Sequence, residues 1–352
     1  MKPATSLLHE LVSFPSVSGD EYAIAEFLSG WLKARGLPVH LDDRNLAARV
    51  GREGPTLLLN SHLDVVPVGE GWATDPFVPL VKDGRMFGRG SNDAKASVAA
   101  MALAMTRLAE RPPEGVQVVF AATCEEERGR GGLEVFLPQL GRIDAAVVGE
   151  PTGLHPAVAQ NGLLILELFA RGKAGHAARP HLAKNAIDIA AGDVAALHGL
   201  QWQPHNPHVG PMTLAVTQIE AGRAHNVIPE VCKMVVDIRT IPEIPPEVVV
   251  ERVRSVVQSE VRVRSDRFRP VHTPHEDRLV EAVREAHPEG AAFGSPTLSD
   301  WAHLAHIPAV KLGPGLSEVS HTANEWVNLA EVERAVGVYE GIVRAWARSA
   351  TV

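Results

Sequence analysis

The sequence predicts an α/β fold: a mostly parallel central sheet, interrupted by a smaller inserted α+β unit. Three observations carry this. Apolar runs alternate with helical patterns from the start of the chain to "DAAVVG" (144–149), as in a sheet covered by helices on both faces. From about Gly162 the order becomes strand, helix, strand, strand, helix, strand, that of a ferredoxin-like sandwich. After residue 271 the αβ alternation returns. The 352 residues therefore divide into 1–161, 162–271 and 272–352, with the outer two segments forming one domain, in line with the roughly two domains expected at this length.

Each element has its own signal. Helices fall near residues 4–12 and 21–35, ahead of a strand around Val39–Val50. "TLLLNS" (56–61) belongs to an apolar run of the kind buried on both faces of a parallel sheet. A loop rich in Gly, Pro and Trp leads to a helix from about Ala94 to Glu110. "VQVVFAA" (116–122) is the next strand, followed by a helix near 131–139 and the strand "DAAVVG". In the insert, "LLILELFARGKAG", "MTLAVTQIEAG", "KMVVDIRTI" and "RVRSDRFRPV" have strand character. "NAIDIAAGDVAALHGL" and "PEVVVERVRSVVQSEV" read as its helices. "PAVKLGPG" and a helix over 329–348 complete the outer domain.

Composition narrows the function. A net charge of −8 without a basic cluster argues against nucleic acid or an anionic membrane as partner. Two distant cysteines, Cys124 and Cys232, make no disulfide framework and fit a reducing compartment. The opening "MKPATSLLHELVSFPSVSGD" lacks the continuous apolar core of a signal peptide. No apolar run reaches the roughly 18 residues of a membrane span. A soluble cytoplasmic protein is the expectation.

The chemistry gathers at strand ends. In "LLLNSHLDVV" (57–66), His62 and Asp64 are two positions apart, so on a strand they share a face. Buried there without partners they would cost several kcal/mol; they either satisfy each other or serve a metal. "GRGSNDAKAS" places Asp93 before a helix, "FAATCEEERG" places Glu125, Glu126 and Glu127 after a strand, "VVGEPTG" adds Glu150 and "LSEVSHTANEW" adds His321. Singly these read as a helix cap, a solvated acidic run and a structural histidine. Together, beyond the carboxyl ends of parallel strands, two histidines and three or four carboxylates are a ligand set for zinc, cobalt or manganese. One further carboxylate suits a general base, the composition of a two-metal hydrolytic site.

The ordered set H-x-D, G-R-G-x-x-D-x-K, E-E-E, G-E-P-T and S-H-T resembles the dinuclear zinc amidohydrolase and metallopeptidase family of acetylornithine deacetylase, succinyl-diaminopimelate desuccinylase and the glutamate carboxypeptidases. The likeness runs from "SVSGDE" to "SHTANEWV". It implies a zinc-peptidase-like catalytic domain with an inserted dimerisation or lid domain. One metal would be held by His62 and Glu150, the other by Glu127 and His321, with Asp93 bridging and Asp64 orienting His62. Aligning "TCEEE" on the family's T-x-D-E-E makes Glu126 the base and Glu127 the ligand; the other register gives Glu125 and Glu126. The base would take a proton from the attacking water and return it to the leaving amine. "GKAGHAARPH" nominates His176 as oxyanion donor, supplied by the partner subunit of a homodimer. "HNVIPE" and "VVDIRT" imply Asn226 and Arg239 for a substrate carboxylate, which suits a guanidinium fork. "GSPTLSDW" and "GPG" make Thr297, Ser299, Gly313 and Gly315 further contacts. One departure is Ala96, where many members carry glycine.

Within the family, "GSNDAKAS", "CEEE", "GEPTG", "GKAGHAAR" and "FGSPTLSD" look most like the acetylornithine deacetylase branch. That implies hydrolysis of N-acetyl-L-ornithine to ornithine and acetate, in arginine biosynthesis. The same machinery would serve N-acetylcitrulline, N-succinyl-diaminopimelate, or lysine or ornithine linked to an amino-group carrier protein. An acid such as Glu318 or Asp300 would suit a cationic substrate tail. A dipeptidase or carboxypeptidase and a metal-free binding relative are the readings from other classes.

Overall fold

The computed structural model describes residues 1–350; residues 351 and 352, the end of the expected third segment, lie outside the described residues. The chain forms two compact units. The first comprises Met1–Val158, His272–Phe293 and the segment from Ser299 onward; the second comprises Ala159–Val271 with Gly294–Leu298.

In the first unit the strand Thr56–His62 has every residue buried. It pairs in parallel with Gln117–Thr123 on one side and Ala145–Val148 on the other. Ala309–Lys311 joins Ala145–Val148, also in parallel. The margins are antiparallel: Asn45–Val50 pairs with Gln117–Thr123, and Val39–Asp42 with Asn45–Val50. The stretch expected as one strand over 39–50 is therefore a hairpin. Its turn places Asp43 in left-handed backbone at φ 54°, a conformation that Asp tolerates better than most residues.

The Ala-rich helix Lys95–Glu110 is buried along most of its length. Its small side chains let it pack between the sheet and other helices. Met101 and Met105 share a core with Leu7, Leu8 and Leu11 of the helix Pro3–Val12 and with Tyr339 and Ile342 of the helix Leu329–Ala350. Ala96, in the first turn, is fully buried. Among the described residues no helix is long and apolar enough to cross a membrane.

The second unit has strands Gly162–Arg171, Thr213–Ala221, Val231–Thr240 and Glu260–Phe268 and helices Ala186–His198 and Pro246–Val256. Its sheet runs Thr213–Ala221, Val231–Thr240, Gly162–Arg171, Glu260–Phe268, all antiparallel, which is the ferredoxin-like order. Period-two alternation buries Leu164, Leu166, Leu168 and Ala170 against the helices. Asn185 caps the first helix by accepting from the Ile187 N–H at 3.0 Å.

From that helix the buried Asp193 carboxylate accepts from the Gln258 and Ser259 N–H groups at 2.7 and 3.0 Å, anchoring the approach to the last strand. Asp193→Ala would strand both donors, at about 1–3 kcal/mol each. Urea unfolding of the second unit should show a loss of about 2–6 kcal/mol; a loss below about 1 kcal/mol would remove Asp193 as the anchor.

Candidate metal centre

Parallel pairing brings the ends of Thr56–His62, Gln117–Thr123 and Ala145–Val148 to one rim, so His62, the Glu125–Glu127 run and Glu150 emerge together. Ligand atoms of His62, Asp93 and Glu127 lie within 4.8 Å of one another, as do those of His62, Glu126 and Glu150. His62 Nε2 is 3.2 Å from Asp93 Oδ1 and 3.8 Å from Glu150 Oε1. His321 Nε2 is 2.9 Å from Glu127 Oε1 and 3.4 Å from Asp93 Oδ2. Asp93 thus turns one oxygen to each histidine. His62 is buried, whereas His321 is half-exposed at the rim in left-handed backbone at φ 63°.

Asp64 acts mainly on the acidic loop. Its Oδ1 accepts from the Glu126 N–H and its Oδ2 from the Glu127 N–H, both at 3.1 Å, and Ser18 Oγ donates to Oδ2 at 2.7 Å. The nearer partner of His62 Nδ1 is the Asp64 backbone carbonyl at 3.0 Å, with the carboxylate at 3.4 Å. A proton on Nδ1 donated to that carbonyl leaves the Nε2 lone pair facing the other acids. The remaining amide of the run, that of Glu125, is accepted by the buried Glu21 carboxylate at 3.1 Å; Glu21 is itself paired with Arg44 at 2.7 Å. Glu125 turns its carboxylate to Arg44 and Arg128, at 3.3 and 3.4 Å. Of the three glutamates it is Glu126 and Glu127 that join the clusters.

The electrostatics ask for positive charge. Burial and the neighbouring Glu150 push the Glu126 carboxyl well above the carboxylate range. Burial raises Glu127, and takes Glu150 up to about 8. Burial also opposes a charged His62, yet Asp64 and Asp93 outweigh it and lift its imidazole well above the usual value. Carboxylates crowded beyond what the local cations neutralise fit divalent metal ions, which hold such donors ionised.

The other expected residues fall in several places. Gly313 has no room for a side chain, because a Cβ would meet Ser97 Oγ at 2.3 Å and the Glu150 carbonyl at 2.6 Å. Gly315, at φ +96°, packs on Asn92 in the same way. Ser299 is buried and its hydroxyl accepts from the Trp301 N–H at 3.4 Å. Asp300 is buried and accepts from Thr123 Oγ1 at 3.0 Å, while Glu318 is exposed. His176, Asn226, Arg239 and Thr297 belong to the second unit. There His176 pairs with Val227, and the Asn226 carbonyl accepts from the Ala177 N–H at 3.0 Å, which brings those two together. His176 Nδ1 accepts from the Ala178 N–H at 3.0 Å, so its proton sits on Nε2. Arg239 is half-buried and paired with Asp237 at 2.9 Å. Exposed Thr297 shares a hydrogen bond with Ser295 at 3.0 Å. Sequence reasoning missed Ser18, Glu21 and Arg44; the first two stand in or beside "SVSGDE", but a side chain that accepts backbone N–H groups leaves no spacing to find.

The fold and this centre define a class, the metal-dependent hydrolases. Within it, the chain belongs to peptidase family M20/M25/M40, which it matches over residues 58–345. It is 34% identical to a succinyl-diaminopimelate desuccinylase from Thiobacillus denitrificans, over 95% of this chain and 92% of the relative. It is 30% identical to one from Halorhodospira halophila, over 98% of both. Its fold is similar to that of the YXEP protein of Bacillus subtilis, a dinuclear metal binding peptidase from the M20 family: TM-score 0.78, 19% identity, 99% of this chain and 98% of the other.

Because Asp64 supports two loop amides and faces His62, Asp64→Ala should weaken zinc binding roughly 10–100-fold. Competition against a chromogenic chelator measures this; parent-like affinity would show that the centre stands without Asp64.

Proposed function

We propose that the protein hydrolyses the amide bond of an N-acylated diamino acid, using two divalent cations held by His62 and Glu150, by Glu127 and His321, and by Asp93 between them. The observation that carries this is the placement of Asp93, with one oxygen toward each histidine and a glutamate beside each. Zinc suits the mixed imidazole and carboxylate donors, and cobalt would substitute. When bound, the cations would activate the attacking water and polarise the scissile carbonyl.

The chain's own groups supply the rest. Glu126, on the same rim and half-buried, takes the water proton on a carboxylate oxygen and passes it to the leaving nitrogen. His176, with its proton on Nε2, is a donor for the developing oxyanion, and acts from a partner subunit if the second unit mediates a homodimer. Asn226 and Arg239 hold the substrate carboxylate, Arg239 exchanging its Asp237 partner for it. Thr297, Ser299, Gly313 and Gly315 are the further substrate contacts of this reading. Two buried, unpaired cysteines support a reducing, cytoplasmic setting.

Two substrates share the diamino-acid chemistry. The desuccinylase relatives favour N-succinyl-diaminopimelate. The motifs around Asp93, Glu150 and His176 favour N-acetyl-L-ornithine and a place in arginine biosynthesis. Zinc- or cobalt-loaded enzyme should cleave one of these far faster than an unblocked dipeptide. Glu126→Gln should lower kcat roughly 10²–10⁴-fold while still binding both ions. Equal turnover in the variant would remove Glu126 as the base. Preference for the dipeptide would make the protein an exopeptidase.

A further inference from the structure

Glu325 lies four residues beyond His321, and its side chain does not face the clustered ligands. It is fully buried, and its carboxylate is saturated. Oε2 accepts from Arg89 Nη1 at 2.7 Å and the Gly90 N–H at 3.0 Å. Oε1 accepts from the N–H groups of Asn92 and Asp93 at 2.9 and 3.0 Å. The Glu325 backbone carbonyl accepts from the Gly88 N–H at 3.0 Å. One residue therefore receives four of the six N–H groups of the Gly88–Asp93 loop. Asn92 closes the latch from the other direction. Its Nδ2 donates to the Leu316 carbonyl and Ser320 Oγ, both at 3.1 Å, and its Oδ1 accepts from the Leu316 N–H at 2.8 Å.

With four donors on two oxygens, Glu325 has no lone pair to spare for a cation. What it can do is fix backbone. Asp93 is useful only if each oxygen reaches its own side, and tolerances at such sites are about 0.5 Å. A loop of this kind, left to water, would sample far more than that. The buried ion pair with Arg89 adds a charge-assisted anchor that solvent does not screen.

We propose that Glu325 is a positioning residue for the metal centre: its carboxylate holds the Gly88–Asp93 loop so that Asp93 stands between His62 and His321 before any cation arrives. This rests on the reading of Asp93 as the ligand shared by two cations. It also ties the His321 segment to the Asp93 loop, so both sides of one cation site are built by a single buried carboxylate.

The test is a cobalt(II) titration of the parent protein, Glu325→Gln and Glu325→Asp, followed by visible absorption and by chelator competition. The parent should take up two ions. In Glu325→Gln, affinity should fall roughly 10–100-fold at one or both sites, and the cobalt spectrum should change. Cooperative unfolding should persist. Glu325→Asp, which keeps the charge, should recover part of the affinity. Parent-like affinity and spectrum in Glu325→Gln would overturn the proposal. Failure of the parent itself to bind two ions would instead overturn the two-cation reading, and this proposal with it. Hydrogen exchange on the metal-free parent tests the same point without a variant. The amides of Gly90, Asn92 and Asp93 should be protected, and exchange at open-loop rates would overturn the proposal.

Discussion

Everything at the rim follows from burying negative charge. Glu126, Glu127, Glu150 and Asp93 meet around His62 and His321, where an uncompensated ion would cost several kcal/mol. Like charges at this separation repel, and a chain left to itself would turn them outward to water. Here they are turned inward and kept there. The protein does this with a second set of carboxylates, Asp64, Glu21 and Glu325, which face away from the first. These accept backbone N–H groups and so immobilise the loops that carry the inner acids. Glu21 and Glu325 are neutralised by Arg44 and Arg89. Inner acids are left short of positive charge and outer acids are satisfied, which supports the reading of the inner set as a cation site.

The parallel sheet makes this possible. Three strands that end together deliver three ligand-bearing loops to one spot without long connections, and the Ala-rich helix Lys95–Glu110 brings Asp93 in beneath them. Close packing sets the tolerance: Gly313 lies against the backbone of Glu150, so even a methyl there would displace Glu150. The second unit supplies different chemistry. Its exposed His176 carries a proton on Nε2 because Nδ1 is occupied by a backbone donor, and its Arg239 guanidinium is paired with Asp237. Under the proposed function these two groups are assigned to oxyanion stabilisation and substrate recognition.

Much of this could be read in the chain. Unbroken apolar runs announced the central strands because both their faces are buried, and His62, Asp93, Glu150 and His321 stood out as polar residues at strand or helix boundaries. The hairpin at Asp43 escaped notice because no glycine or proline marks it. The strand Ala157–Gln160 is too short for periodicity to register. Three identical glutamates carry no register of their own, and only the family resemblance singles out Glu126 and Glu127. In the structure Glu125, at φ 50°, turns its carboxylate to Arg44 and Arg128 while the other two join the clusters. Glu21 and Glu325 were illegible for a deeper reason. A carboxylate whose partners are main-chain N–H groups depends on where loops pass, and no residue pattern records that.

The most direct test of the central claim is anomalous diffraction at the zinc edge from crystals of the zinc-loaded protein. Two peaks about 3.5–4 Å apart, with one Asp93 oxygen on each and His62 and His321 on opposite sides, are the expected result. A single peak, or two that do not share Asp93, would contradict the idea that the buried acids of this rim are organised around a pair of cations.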